Sequence, residues 1–525
     1  MIRLKTVIKR CFFLTTFLSS ITGCVGPPPE VVEVPPPPPC TIPSGYSIDK
    51  GIHQGLKTLR TPNCGKLFDK IFQALLNISS HRPSIQNRRK FVISSLSGLA
   101  LLGLPRISFA SSNPDVVVIG AGAAGLAATD TLLKAGKKVV CLEASNRIGG
   151  RAVTDNKIFG EPYDMGALWL ENGDTNPFKI HGEKSEKFTV YKEGEEMYAV
   201  YNGDQRTSQE EELWRIYDGA TAAIVKTNKD IAPIEVVPYQ DQRWFDTAHL
   251  IIGPWEMGKD FSHYSCLDYN FDYEMPESEE WHCEQGYGAL VADMYREVPV
   301  ELNTKVNEID WSGEGVKVIS DKGTINTKKC IITVSNGVLS SGQIKFTPEL
   351  SVEKQESFSK ISMGHYNRIT FQFKKLFKKK RKDSYLYYKI DSQNVPSPRG
   401  FAGALNVSGT NLSMFDPGGE FGKELANEGE EASLDFALGE LRKIYGSKVD
   451  KYLIKSHVVN WSANPLFLGS WASAEPGAFK YREVLRQSVG DRIYFAGEAT
   501  AKDWGTVAGA NESGVISAKN ILEMV

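Results

Sequence analysis

No CxxC pair and no Cys/His cluster occurs in this chain, although it carries eight cysteines, at positions 11, 24, 40, 64, 141, 266, 283 and 330. Metal sites built on thiolate or imidazole need such groupings, so no metal centre is expected. None of the eight histidines has a partner spacing that suggests catalysis; His365 and His457 read as structural. Charge of one sign is also missing. Lys and Arg number 61 against 63 Asp and Glu, a formal net charge of −2, and nothing implies a nucleic-acid partner. No methionine falls between Met1 and Met165. What is present is ordinary for a soluble globular protein: 41% hydrophobic and 24% charged residues over a length of 525, too long for one core and expected to form two domains.

The N-terminal region has a basic start, a short apolar run from Cys11 to Ile21 and then Ile21-Thr22-Gly23-Cys24. The run is far below the ~20 apolar residues of a membrane span and has the layout of a secretory signal. Its last four residues resemble a bacterial lipobox, which implies residues 1–24 as a lipoprotein signal with a lipid anchor on Cys24. Residues 25–86 begin as a proline-rich spacer and are expected to be a disordered linker. A second signal, residues 87–110, contains Arg88-Arg89, an apolar stretch and Ser108-Phe109-Ala110, and resembles a twin-arginine export signal. The two signals conflict, and a true start at a non-ATG codon near Leu75 or Leu76 would resolve them. A mature protein beginning near Ser111 and located in the periplasm is expected. Cys40 and Cys64 could pair in that oxidising compartment, while Cys141 and Cys330 read as buried thiols.

From Asp115 the pattern becomes specific. A β-branched run, Val116 to Ile119, leads into Gly120-Ala-Gly122-Ala123-Ala124-Gly125, an amphipathic helix and a second strand, Val139 to Leu142, ending at Glu143. Gly120 suits the tight turn, Gly122 lets backbone approach a pyrophosphate and Gly125 lets helix pack on strand. The helix N-terminus then faces phosphate, and Glu143 stands where a ribose hydroxyl needs an acceptor. This is a βαβ dinucleotide unit of Rossmann type, with NAD and FAD both open at this point.

The next residues run Glu143-Ala144-Ser-Asn-Arg147-Ile-Gly149-Gly150-Arg151, then Tyr163-Asp-Met-Gly166-Ala167-Leu168-Trp169. Near the C-terminus come Trp461-Ser-Ala-Asn-Pro465-Leu-Phe-Leu-Gly469-Ser470-Trp471, then Gly497-Glu498 and Gly505-Thr506-Val507. With these motifs the chain resembles the flavin-containing amine oxidases from about Asp115 to Val525. The resemblance implies FAD, with Gly149, Gly150 and Arg151 under its ribityl and phosphate region, and Gly166 to Trp169 against the isoalloxazine. It also implies Val306 against adenine, Glu498 on the ribityl chain, and the helix after Thr506 aimed at the flavin pyrimidine oxygens. It implies an α/β fold in which a doubly wound FAD-binding domain, residues 111–185, 275–340 and 456–525, interleaves with an α+β substrate-binding domain, residues 186–274 and 341–455.

The implied chemistry moves a hydride equivalent from the carbon beside an amine nitrogen to flavin N5, and an apolar aromatic pocket favours the neutral amine this requires. Four positions carry that reading. Trp471 fills one place of an aromatic pair that the family sets in front of the flavin, and Thr506 stands at the other, leaving that pair half open. Arg368 occupies the place of a lysine that bonds through water to N5, and an arginine could hold water there without acting as a base. Glu171 falls where some relatives steer a distant ammonium. Ser470 replaces the cysteine through which monoamine oxidases attach flavin, so FAD is expected to be non-covalent. The acceptor is left open between oxygen and a cytochrome c or quinone. A flavin-dependent desaturase and a flavin-binding protein without amine turnover remain alternatives. The basic run Lys374 to Lys382 reads as a solvated tip.

Overall fold

The structure, a computed structural model, describes residues 113–523 apart from 194–197, 204, 207–209, 274–279, 375, 378–379 and 393–395. Both export signals with Cys24, the proline-rich linker and the Cys40–Cys64 pair lie outside the described residues, as do positions 375, 378 and 379 of the basic run.

Four short apolar strands form a parallel sheet. Strand β1 (Val116–Ile119) lies between β2 (Val139–Leu142) and β3 (Lys329–Ile332), and β4 (Ile493–Phe495) completes the order β2-β1-β3-β4. Every residue of β1 is buried, as expected for a sheet covered on both faces, where side chains alternate between two apolar environments. Cys141 and Cys330 sit in β2 and β3 as free, buried thiols, each pushed up to about 12 by burial.

Helix α1 (Ala123–Lys134) starts directly after the glycine turn, and helix α2 (Val507–Glu523) packs along it. The turn before α1 and the contact between the two helices both require small residues. A Cβ on Gly125 would stand 1.9 Å from the Gly120 carbonyl oxygen, and one on Gly514 would stand 2.1 Å from that of Ala124. Among the described residues, the last helix is thereby seated against the first.

A second, antiparallel layer joins Gly323–Thr327, Val316–Ser320 and Val306–Asp310, with Lys345–Thr347 added in parallel. Beyond it a seven-stranded mixed sheet takes the order 453–459, 368–373, 412–416, 402–405, 384–388, 198–202, 205–206. Strand Leu412–Asp416 is buried along its whole length, as is Ser384–Tyr388, and the largest apolar core lies against this sheet. The acidic stretch around residue 428 forms two helices, Gly419–Glu428 and Glu430–Tyr445, parted at Gly429, whose φ of +102° ends the first. A small ribbon pairs Ile361–Met363 with Ala472–Ala474 and so brings the segment before Arg368 beside Trp471. The fold is the α/β type expected, with parallel and antiparallel sheets built from interleaved stretches of chain.

Candidate active site

One elongated cavity of about 320 Å³ gathers residues from all of these layers. Arg368, Trp471, Thr506 and Glu171 all line it. So do Gly120, Gly122, Ala123 and Ala124 from the first turn, with Glu143 and Ala144 after β2. Gly149, Gly150 and Arg151 form a further stretch of wall, followed by Gly166, Ala167, Leu168 and Trp169. Val306, Trp461, Gly497, Glu498 and Val507 complete the set. Two residues singled out by sequence do not line it. Gly125 is the packing glycine under α1, and Arg147 turns back to its own loop, donating from Nη1 to the carbonyls of Ile148 at 3.2 Å and Gly150 at 2.7 Å.

The dinucleotide end is a cradle of backbone. Gly122 caps α1 without any side-chain hydrogen bond, so the first N–H groups of that helix keep their capacity for an anion, which its dipole also favours. The two glycine turns touch: the Gly149 amide donates to the Ala121 carbonyl at 2.8 Å, and a Cβ on Gly150, whose φ is +59°, would lie 3.2 Å from the Gly122 Cα. Glu143 is held open-armed between them, accepting from the Ala121 amide at 2.7 Å and the Ser145 amide at 2.8 Å. A carboxylate has about four lone-pair sites, so both oxygens retain capacity for hydroxyl donors. A space that side chains would fill, an uncapped helix and an oriented acid together fit a dinucleotide.

Between the two ends an ion pair joins distant stretches. Arg151 Nη1 lies 3.1 Å from Glu498 Oε1 and also donates to the Ser470 carbonyl, while Glu498 Oε2 accepts from the Ala472 amide at 3.2 Å. Both residues therefore brace the cavity as well as line it.

The other end is aromatic. Trp471 leans on Tyr366 with ring centroids 5.0 Å apart, and Trp504, Trp169, Trp255 and Tyr269 add further walls. Thr506 is itself a helix cap: its hydroxyl donates to Asp503 and accepts from the Gly509 amide at 2.9 Å. Tyr366 was not singled out from the sequence, although it stands two residues before Arg368 and extended chain places such neighbours on one face. Trp255, Glu256, Met257, Tyr269 and Glu280 carried no such signal, since a turn of π-helix, Ile251–Trp255, breaks the helical spacing just before the first three.

Arg368 is the most constrained charge here. Its guanidinium pairs with Asp416 at 3.1 Å, both side chains only 3% exposed. Nη1 donates to the carbonyls of Asp164, at 3.0 Å, and Gly166. Tyr366 completes the group by donating to Asp416 at 2.7 Å. Burial opposes the guanidinium charge, but Asp416 and its neighbours outweigh that, and the pKa moves further above its ordinary value. The side chain expected to hold water thus spends Nε, Nη1 and Nη2 donors on fixing the loop under Trp169 and the ring of Tyr366. A lysine does lie nearby in the fold: Lys259, lowered to about 8 by burial, donates to Ser362 Oγ at 2.8 Å and the Ser473 carbonyl at 2.7 Å, without lining the cavity. His365 and His457 have local partners, Ser462 at 3.1 Å and Tyr163 at 3.3 Å, as structural histidines would.

A dinucleotide cradle opening into an aromatic chamber fits a flavoenzyme of the amine-oxidising class. The chain belongs to the family of flavin-containing amine oxidoreductases, whose model matches residues 123–234 and 238–522. It is an FAD-dependent amine oxidoreductase. Polyamine oxidase 4 of Oryza sativa subsp. japonica is 26% identical over 445 residues, covering 78% of this chain and 88% of that protein. Polyamine oxidase 2 of Arabidopsis thaliana has the same identity and coverage. Lysine-specific histone demethylase 1 homolog 3 of Oryza sativa subsp. japonica is 28% identical over 445 residues, with 77% of this chain matching 54% of that one. Among solved structures, putrescine oxidase bound to putrescine has a TM-score of 0.64 at 20% identity, covering 78% of this chain and 99% of that one.

Two variants test the electrostatics. Asp416→Ala leaves a buried guanidinium without its partner and is expected to cost about 3–5 kcal/mol of stability, read by urea denaturation of the holoprotein. A cost below about 1 kcal/mol would mean that the pair is not what holds Arg368. Glu280, which lines the aromatic end, is raised from 4.5 to about 7 by burial. The fold favours its protonated form, so this contribution is fully present below about pH 4.5 and lost as pH rises through 7. Glu280→Gln is expected to flatten the decline of Tm between pH 4.5 and 7; a parallel wild-type and variant profile would contradict the assignment.

Proposed function

We propose that this enzyme oxidises a di- or polyamine at the carbon beside one nitrogen, giving an imine that water hydrolyses to an aldehyde or ketone and a released amine. The observation that carries the reading is the pairing of Trp471 with Tyr366 in a chamber continuous with the dinucleotide cradle. The polyamine oxidases among its relatives support the substrate class.

FAD, when bound, supplies the two-electron acceptor for this oxidation. The chain's own residues do the rest. Aromatic walls remove water and lower the affinity of the reacting nitrogen for its proton, which favours the free amine. Arg151, Glu498 and the glycine turns are the groups to hold the cofactor, with Glu143 for its ribose. The N-terminus of α2, capped by Thr506, points a positive dipole end into the same wall, suited to negative charge on the reduced ring. Among the described residues no cysteine lines the cavity, and Ser470 stands where a thiol would be needed, so the flavin is held without a covalent bond.

Electrons then pass to oxygen, or to a cytochrome c or quinone. The arginine at 368 supports the second group, because a permanently charged, fully engaged side chain cannot relay a proton during reaction with oxygen. The twin-arginine-like signal at 87–110 supports a periplasmic enzyme already folded around its cofactor when exported, with a lipid on Cys24 as the competing arrangement.

Mixing holoprotein anaerobically with primary, secondary and polyamines is expected to bleach the flavin with at least one of them, and acid precipitation is expected to release it intact. If no amine bleaches it, amine oxidation is wrong for this chain. Arg368→Lys is expected to speed reoxidation by oxygen relative to cytochrome c; an unchanged ratio removes residue 368 from acceptor choice. N-terminal sequencing of the natively expressed protein is expected to begin near Ser111, and a lipidated Cys24 as first residue would refute that placement.

A further inference from the structure

The cavity meets solvent at its dinucleotide end. Pro465 is exposed and lines it, with Lys305 and Gln343 half-buried in the same wall. Glu143 identifies the end: its carbonyl accepts from the Thr304 amide at 2.8 Å, so Lys305 stands one residue from the stretch that holds the acid suited to a ribose.

Two stretches of chain border this mouth, and each is anchored away from it. The loop that carries Pro465 is tied on its inner side, where the Phe467 carbonyl accepts from Ser335 Oγ at 2.6 Å and the Phe467 ring meets Trp461 edge to face at 5.2 Å. On the other side the Lys305 amide donates to Asp321 Oδ1 at 3.0 Å. Gln343 joins the two. Lys305 Nζ donates to its Oε1 at 3.0 Å, and its Nε2 donates to the Pro465 carbonyl at 3.1 Å. One end of the amide is thus spent on each border of the mouth.

The support under Gln343 has room to swing. It follows helix Asn336–Ser340 through Gly342, whose φ is +70° and where a Cβ would meet nothing within 4 Å. The reaction end is closed differently, by packed rings: Trp471 lies on Tyr366 with centroids 5.0 Å apart, and Trp169 meets Trp255 at 6.1 Å. Parting two hydrogen bonds near the surface disturbs less than parting buried aromatic walls. The ammonium of Lys305 also sets a positive charge at this mouth, which suits the passage of an anionic pyrophosphate.

We propose that Gln343 is a latch over the entrance through which FAD enters and leaves, fastening the Lys305 stretch to the Pro465 loop so that its opening limits the rate of cofactor exchange. The amide bonds to protein on both sides, and its removal takes the same two bonds from the FAD-bound and FAD-free protein. A latch of this kind acts on the rates of entry and exit together and leaves the dissociation constant where it was. The assignment stands on FAD as the cofactor and needs no amine turnover.

The test uses holoprotein. Exchange of bound FAD against an excess of radiolabelled FAD gives the exit rate, and equilibrium dialysis gives the dissociation constant. Gln343→Ala is expected to speed exit about 10-fold, the size of two modest hydrogen bonds, with dissociation constant and Tm unchanged. Gln343→Glu, which keeps an acceptor for Lys305 and loses the donor to Pro465, is expected to fall between wild type and Gln343→Ala. An exit rate that moves in neither variant overturns the proposal. So does a dissociation constant that rises in step with the exit rate, because Gln343 is then a contact of the cofactor. If Gln343→Ala lowers Tm, Gln343→Glu decides: faster exit at an unchanged dissociation constant upholds the latch, and wild-type exit refutes it.

Discussion

A single buried charge organises the reaction end of this enzyme. Arg368 cannot lose its proton, and it lies almost wholly out of water, so every donor it presents must find an acceptor or destabilise the fold. Asp416 answers the charge, and the carbonyls of Asp164 and Gly166 accept the remaining fork. Because those carbonyls belong to the loop that leads to Trp169, and because Asp416 also binds Tyr366, the pair fixes two aromatic walls from one point. Trp471, resting on Tyr366, inherits that position. The arrangement gives up the flexibility of a lysine in exchange for rigid geometry, which suits a site whose catalysis depends on enclosure more than on acid or base.

The other half of the site depends on closeness of backbone. Glycines at 125, 149 and 150 are placed so that turns and helix meet where a Cβ would intrude, and the Arg151–Glu498 pair draws the C-terminal strand toward that junction. These are short-range, residue-specific requirements, and so they were legible: Gly120 to Gly125 with Glu143 announces a dinucleotide unit, and the family resemblance carried by Gly149-Gly150-Arg151 implies a flavin. Trp471 and Thr506 were likewise found from motif positions.

What stayed illegible has a common physical cause. Trp255 and Glu256 sit at a π-turn that interrupts the helical period, and their neighbours in space, Trp169 and Tyr217, are tens of residues away in sequence. Nothing local marks them. The roles of Arg368 and Thr506 were only half visible for a related reason: sequence gives the side chain, whereas hydrogen-bond partners such as Asp416 and Asp503 show how its donors are already engaged. Interrupted helices and saturated polar groups are tertiary facts.

The placement of β4 and α2 carries a consequence for the order of events in the cell. Strand Ile493–Phe495 is the last to join the parallel sheet, and Glu498 and α2 close the cavity against β1 and α1. Until residues 493–523 have been made, the dinucleotide cradle has its floor but lacks a wall. Cofactor capture therefore waits for this late segment to fold back onto strand β1 and helix α1, however early that first unit forms.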